Sequence, residues 1–181
     1  MAKTKAELAQ ETIDNLTNFP DDDVNANDSL DDMNKFLNEE LVVHSKIKTN
    51  FSGNLTEFKK GQSKVVLPTT NDMIVDEFGL IHSGFIFGAA EYAAVAAINE
   101  ENIVIIGCRA KFFAPAKLGD IIEFEAKGRF EEARKREIKV IGKINGVKVF
   151  EGIFQAVLLE KHILQTQISE LQSNFKSQGF S

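Results

Sequence analysis

"DEFGLIHSGFIFGAAEYAAVAAIN", residues 76–99, decides the fold of this chain. From Ser83 to Ile98 every residue is apolar or small except the carboxylate Glu91. A segment that is apolar around its whole circumference predicts a helix buried on all sides. Its many alanines suit the close approach of a sheet curled around that helix. The segment therefore predicts one long central helix with a single acidic side chain on it.

Strand patterns rich in Val, Ile and Phe lie on both sides of this helix. They read "KVVLP" before it, and "NIVIIGCRAKFF", "DIIEFEAKGRF", "REIKVIGKI" and "VKVFEGIFQAVLL" after it. Between the last two stands Asn145-Gly146, the pair preferred in two-residue hairpins because both positions need positive φ. The sequence therefore predicts an α+β fold for residues 46–160, in which an antiparallel sheet wraps around the central helix.

The two ends of the chain differ from this middle region. Residues 1–45 contain three lysines and eleven acidic residues, a net charge of −8, so the other 136 residues carry +2 of the total −6. We predict an acidic helical arm here, which is either a solvated, partly disordered segment or a helix that binds a protein partner or braces a dimer. After residue 161, apolar residues at helical spacing predict a C-terminal amphipathic helix over 161–181.

Composition excludes several classes of function. An acidic chain is a poor binder of nucleic acid, and no basic and apolar leader is present, so we expect a cytoplasmic protein. The longest apolar segment is interrupted by Glu91, which argues against a membrane span. The histidines have no metal-binding spacing, so no metal and no cofactor is predicted. Cys108 stands in an apolar run and is predicted to be a small buried hydrophobic residue.

Glu91 leaves two interpretations open. An ionised carboxylate in a dry interior is costly unless it is paired, reaches an edge or has a raised pKa. Glu91 is therefore either a structural residue at a solvent-facing seam or subunit interface, or a catalytic carboxylate in a cleft.

The start of the helix, His82-Ser83-Gly84, offers a second candidate feature. Backbone N–H groups in a first turn favour negative charge on a ligand oxygen, and Gly84 would let a carbonyl approach; a plain Ser83 cap is the alternative. Gly84 and Glu91 are separated by about 10.5 Å along the axis, too far to act on one carbonyl. A second antiparallel copy would supply the missing group, which predicts a homodimer with two shared sites.

These residues resemble a known family. The phenylacetyl-CoA-thioesterase-like group of hotdog-fold acyl-CoA thioesterases carries Asn, two residues, Gly, two residues, His-Gly-Gly, then Asp or Glu seven residues later. Here Asp76 stands at the Asn place, Gly79 matches, "HSG" replaces His-Gly-Gly, and Glu91 stands at the acidic place. "AKFFAPAKLGD" is similar to the turn of that family, and the resemblance covers residues 50–160.

The resemblance implies an acyl-CoA thioesterase with the hotdog fold, active in fatty-acid metabolism, as a dimer or as a tetramer formed when two sheets pair again. It implies that the helix start at Gly84 polarises the thioester carbonyl and that the partner's Glu91 attacks it or deprotonates a water. His82 would position the substrate, with a structural role in bracing the turn as the alternative, and Ser83 would contact the substrate. Asp76 would orient the water or acyl group, with an ordinary loop carboxylate as the alternative.

Two further expectations concern the ligand. Acyl-CoA is expected as substrate or ligand, and the basic run of Arg134, Lys135 and Arg136 is a candidate for its phosphates, with a solvated charge run as the alternative. The chain is also similar to the acyl-CoA-sensing hotdog domain of a bacterial fatty-acid-synthesis repressor. The second functional hypothesis is therefore a regulatory protein that binds acyl-CoA without hydrolysing it.

Overall fold

The computed structural model describes residues 40–130 and 134–166, together with Ser173 and Lys176. The chain divides into two compact units, Met1–Asn38 and Glu39–Ser181. The first unit, with the predicted acidic arm, lies outside the described residues, and so do most positions of the predicted C-terminal helix.

Residues 40–130 and 134–166 of the second unit contain two α-helices and six β-strands, with short 3-10 turns at Asn71–Met73 and Ile163–Gln165. The helices are α1 (Thr49–Ser52) and α2 (Ser83–Ile98), and the strands are β1 (Asn54–Lys59), β2 (Gln62–Pro68), β3 (Ile103–Phe112), β4 (Ile121–Phe130), β5 (Lys135–Ile144) and β6 (Val147–Leu158). The strands form one sheet in the order β1-β2-β4-β5-β6-β3, and every neighbouring pair is antiparallel. This agrees with the predicted α+β architecture of a sheet around a helix.

Helix α2 packs against the inner face of this sheet, chiefly against β2 and β4. Ten of its sixteen residues are buried, among them all six alanines, because a methyl side chain lets the strands approach the helix closely. The Ser63 hydroxyl donates a hydrogen bond to the Ala93 carbonyl at 2.6 Å, which ties β2 to the helix. Asn99, at φ 49°, ends the helix in the left-handed conformation that caps many helices.

Two turns fix the ends of the sheet. Asn145 and Gly146 have φ values of 50° and 79°, as the predicted hairpin requires. In the turn before β4, the Asp120 carboxylate accepts the Lys117 N–H at 2.8 Å. The same turn forms a β-bridge between Lys117 and Leu80, so it holds the loop that leads into α2.

Some expectations differ from the structure. The predicted strands do not include β1, because "NLTEFK" has little apolar content. In the structure, β1 is the outer strand of the sheet beyond β2. The predicted burial of Cys108 is wrong, since the residue is exposed on the edge strand β3. After β6 the chain forms a 3-10 turn at Ile163–Gln165, and Leu164 is 88% exposed. Within the described residues, no helix has the length and apolar content needed to cross a membrane.

Candidate functional site

The start of α2 is capped by a histidine. His82 stands at the N-cap position, and its Nδ1 accepts the Gly84 N–H at 2.9 Å. A Cβ atom at residue 84 would lie 2.6 Å from that Nδ1, so the residue must be glycine for the imidazole ring to keep this position. The Gly84 N–H, expected to face a substrate carbonyl, is thus engaged by the cap. The Ser83 N–H remains at the helix start, with no protein acceptor recorded among the described residues.

A cavity of about 520 Å³ lies beside this helix start. His82 and Ser83 line it from α2, Phe112 and Phe113 from the end of β3, and Leu80 from the preceding loop. A mainly apolar cleft next to a helix N-terminus suits an apolar ligand that carries one polarisable oxygen.

Asp76 braces the loop that leads into the helix. Its Oδ1 accepts the backbone N–H groups of Phe78 and Leu80, each at 3.0 Å. Gly79 adopts φ +80° within this turn, a value that favours glycine. The loop carboxylate therefore has a structural task, and its predicted role in orienting water or acyl group stays a prediction.

Glu91 lies two turns further along α2, partly buried, and faces a different cavity of about 640 Å³. Burial raises its pKa to about 7. No hydrogen bond or ion pair to this carboxylate is recorded within residues 40–130 and 134–166. Such a carboxyl group holds and releases a proton near neutral pH, as a general base requires.

The structure does not bring the predicted catalytic residues together in one chain. His82 and Ser83 line the first cavity, whereas Glu91 lines the second. Gly84 at the helix start and Glu91 belong to one rigid helix, so no rotation of side chains can close the separation of about 10.5 Å estimated between these two residues from the helical rise. The dimer expected from that spacing stays a prediction.

Strand β3 presents an open edge near both cavities. It pairs with β6 on one side and ends the sheet on the other. Its last residues are exposed, Phe112 by 47% and the following Phe113 by 51%, and the neighbouring loop exposes Phe78 by 87%. A long edge strand beside exposed aromatic side chains is suited to pairing with another chain.

The basic run expected to bind phosphate is engaged in ion pairs. The Arg134 guanidinium pairs with Glu160, and both oxygens of Glu100 accept from Nη2 of Arg136 at 3.1 and 2.9 Å. Glu100 follows the C-terminal end of α2, so Arg136 lies at the end opposite His82. A phosphate would have to compete with these carboxylates; the predicted role of the run, including Lys135, stays a prediction.

Sequence reasoning missed two residues that line the Glu91 cavity. His44 reaches it from the segment before α1, and His162 from the segment after β6. Neither stands near Glu91 in the sequence, and no spacing signals their approach. Across the described ranges, no three His, Cys, Asp or Glu residues are grouped so that they could hold a metal ion.

Comparison with known proteins adds a family match. The model of the thioesterase superfamily matches residues 78–140. The crystal structure of Cj0977, a sigma28-regulated virulence protein from Campylobacter jejuni, is 44% identical, with a TM-score of 0.67 over 68% of this chain and 96% of that one. An uncharacterized protein, PH1136 from Pyrococcus horikoshii, is 36% identical, with a TM-score of 0.68 over 70% and 97%.

Two other matches support less, because one covers a small part of the relative and the other has low sequence identity. Methylthioribose-1-phosphate isomerase of Aquifex aeolicus is 37% identical over 120 residues, which are 66% of this chain and 26% of that protein. The chain therefore spans about a quarter of this relative. A hypothetical thioesterase from Streptococcus pneumoniae, solved with coenzyme A, is 13% identical, with a TM-score of 0.54 over 60% of this chain and 87% of that one. At that identity it shows a shared fold alone.

Proposed function

Because the chain belongs to the thioesterase superfamily and has its hotdog fold, we propose that it hydrolyses an acyl-CoA thioester at a site shared by two copies. The observation that carries the proposal is Glu91, a lone carboxyl on an apolar helix, with a pKa raised to about 7 and a cavity in front of it. A hypothetical thioesterase of the same fold from S. pneumoniae was solved with coenzyme A, so acyl-CoA is the first ligand class to test.

The proposed reaction uses groups from both cavities. The Ser83 N–H and the N-terminal dipole of α2 in one copy bind the thioester oxygen, where negative charge develops. Glu91 of the second copy takes a proton from a water, and the resulting hydroxide attacks the carbonyl carbon. The tetrahedral intermediate collapses with cleavage of the C–S bond. The proton on Glu91 then passes to the CoA thiolate, which leaves a free carboxylic acid and restores the base.

The course of β3 supports a shared site. Ile103–Ile105, at its start, line the Glu91 cavity, and Phe112, at its end, lines the His82 cavity. Two copies that pair antiparallel along this edge set the start of one β3 beside the end of the other. That arrangement would oppose the His82 cavity of each copy to the Glu91 cavity of its partner, in agreement with two-fold symmetry.

One observation favours the alternative, a regulatory protein that binds acyl-CoA without hydrolysis. The Gly84 N–H is occupied by His82, so the helix start offers one donor fewer to a developing oxyanion. Fewer donors weaken stabilisation of the transition state more than binding of the ground state.

The test is release of free thiol from short-chain, long-chain and aromatic acyl-CoAs by the full chain and two variants. Glu91→Gln keeps the size of the side chain and removes the base, so we expect turnover to fall by a factor of about 10² or more. Glu101→Gln is the matched control, because this exposed carboxylate lines the same cavity, and we expect turnover close to wild type. Equal turnover in all three proteins refutes catalysis by Glu91. Saturable binding without turnover supports the regulatory alternative.

A further inference from the structure

The segment Glu40–Ser45, before the first helix, is fastened to the end of α2. Asn99 accepts the Val42 N–H at 2.9 Å through its side-chain oxygen and donates its amide N–H to the Glu40 carbonyl at 3.0 Å. Val43 is only 6% exposed. These contacts fix the path of the chain immediately before His44.

His44 itself has an unusual backbone. Its φ is +50°, a value that few residues other than glycine adopt, although histidine is among those that adopt it more often. The imidazole lies nearly parallel to the ring of Tyr92, with 6.1 Å between ring centroids and 26° between planes. Tyr92 follows Glu91 on α2, so this conformation brings the imidazole to the wall of the Glu91 cavity.

The side chain of His44 is polar and has no recorded hydrogen bond to the protein within the described ranges. The residue as a whole is exposed, yet its surroundings desolvate the ring and lower its pKa. A neutral imidazole offers one N–H donor and one acceptor nitrogen. Glu91 faces the same cavity, also without a recorded protein partner, and about 640 Å³ is ample room for water between two such groups.

The other titratable groups at this cavity are placed differently. Glu101 is exposed. His162 caps the 3-10 turn that follows β6, with its Nδ1 accepting the Leu164 N–H at 3.2 Å. Within the part of the chain that the structure describes, neither ring nitrogen of His44 has a protein partner, so His44 is the imidazole at this cavity that can bind water through both nitrogens.

We propose that His44 is a positioning residue for Glu91: the imidazole and the carboxyl share a water in this cavity, and His44 holds that water where Glu91 can deprotonate it. The catalytic part of this proposal rests on the proposed thioesterase function. The coupling between the two side chains does not, because both belong to one chain and one cavity.

The competing explanation is that the His44 ring only clamps its segment on Tyr92. His44→Phe separates the two roles, because phenylalanine keeps an aromatic face for Tyr92 and loses both nitrogens. His44→Asn complements it, since asparagine tolerates positive φ and keeps polar atoms. Asn50→Phe, at an exposed position of α1 that lines neither cavity, is the matched control for the added phenylalanine.

Two measurements apply to the three variants in the full chain: kcat and KM with the best acyl-CoA, and the pKa of Glu91 by NMR of 13C-labelled glutamate. For His44→Phe we expect kcat to fall by about 10- to 100-fold with little change in KM. We also expect the pKa of Glu91 to rise, since its carboxylate loses a water held by a donor. His44→Asn should restore part of kcat, and Asn50→Phe should change neither quantity.

Each outcome bears on one proposal. Wild-type kcat and an unchanged Glu91 pKa in His44→Phe overturn the positioning role, even if Glu91→Gln abolishes turnover. If wild type hydrolyses no acyl-CoA, the thioesterase function fails, and the Glu91 pKa alone decides whether His44 and Glu91 are coupled. If His44→Phe does not fold, the decision passes to His44→Gly, because glycine tolerates the positive φ of this position and has no side chain to hold a water: the coupling is overturned if the Glu91 pKa in this variant equals that of wild type.

Discussion

Replacement of Glu91 by glutamine tests the central electrostatic claim without any substrate. Burial raises the pKa of Glu91 from 4.5 to about 7, so the folded protein binds this proton more tightly than the unfolded chain does. The contribution of Glu91 to the free energy of unfolding should then be greatest below pH 4.5 and decrease as the pH rises from there to about 7, above which the loss of this contribution is complete. Glutamine cannot ionise, so Glu91→Gln should not show this loss.

The size of the effect follows from the shift. A difference of about 2.5 pKa units, at about 1.36 kcal/mol each, sets an upper limit of about 3 kcal/mol, and partial exposure of Glu91 reduces it to about 2 kcal/mol. Above neutral pH, Glu91→Gln should therefore be more stable than wild type by about 2 kcal/mol, and the advantage should vanish near pH 4.5.

Urea unfolding of wild type, Glu91→Gln and the control Glu101→Gln, at about pH 5 and about pH 8.5, measures this difference. The control removes one exposed carboxylate at the same cavity, so it reports the change in net charge alone. A Glu91→Gln variant that is equally stable or less stable than wild type at the higher pH would falsify the assignment of an unpaired buried carboxyl. Glu91 would then have a donor, from a second copy or elsewhere.

Three other predictions concern the helix start, the shared site and a buried ion pair. Gly84→Ala should place a Cβ against His82 and remove the cap at a cost of about 1 kcal/mol. Turnover should fall because the displaced imidazole lines the cavity at the helix start, even though the backbone N–H of residue 84 loses its acceptor. Gly88→Ala is the control, since a Cβ there meets no atom within 4 Å, and it should keep the thermal stability and activity of wild type. The variants Glu91→Gln and Gly84→Ala, unfolded and refolded as an equal mixture, should recover about a quarter of wild-type turnover. About half of the dimers are then mixed, and each mixed dimer keeps one of its two sites intact. If turnover does not recover, the site is not shared between two copies. Arg136→Ala should lower the free energy of unfolding, measured in urea, by about 2 kcal/mol, because the partly buried carboxylate of Glu100 loses its ion pair with Arg136.

The sequence was sufficient for the helix and most strands because those signals are local. The alanine-rich segment predicts a helix that is buried on all sides, and Asn145-Gly146 is the preferred pair for a two-residue hairpin turn. The prediction that Cys108 is buried was wrong for a non-local reason, because β3 is the third strand in the sequence but lies at the edge of the sheet. An edge strand has no neighbouring strand on one side, so an apolar residue on it can be exposed. The apolar run itself does not reveal where its strand lies in the sheet. The sequence did not predict β1, because an outer strand needs few apolar residues and therefore gives a weak pattern.

The candidate site was predictable only in part, for similar reasons. Glu91 is visible because a lone carboxylate contradicts its apolar surroundings. The capture of the Gly84 N–H by His82 depends on a side-chain conformation, and the approach of His44 depends on the Asn99 hydrogen bonds that hold a distant segment. No pattern along the chain encodes either contact.

Glu91, the lone carboxylate in α2, lowers the stability of the folded chain, and a functional role explains why it is present. Burial removes Glu91 from water and raises its pKa to about 7, so the folded chain loses stability above neutral pH by keeping this carboxyl group. Glutamine at residue 91 would fill the same space without that cost, and alanine would continue the packing of its neighbours. A purely structural role therefore leaves the acid unexplained. The cavity in front of Glu91, with an imidazole fixed at its wall, supplies the reason: a carboxyl that titrates near neutral pH has water, and in the proposed dimer a thioester, on which to act.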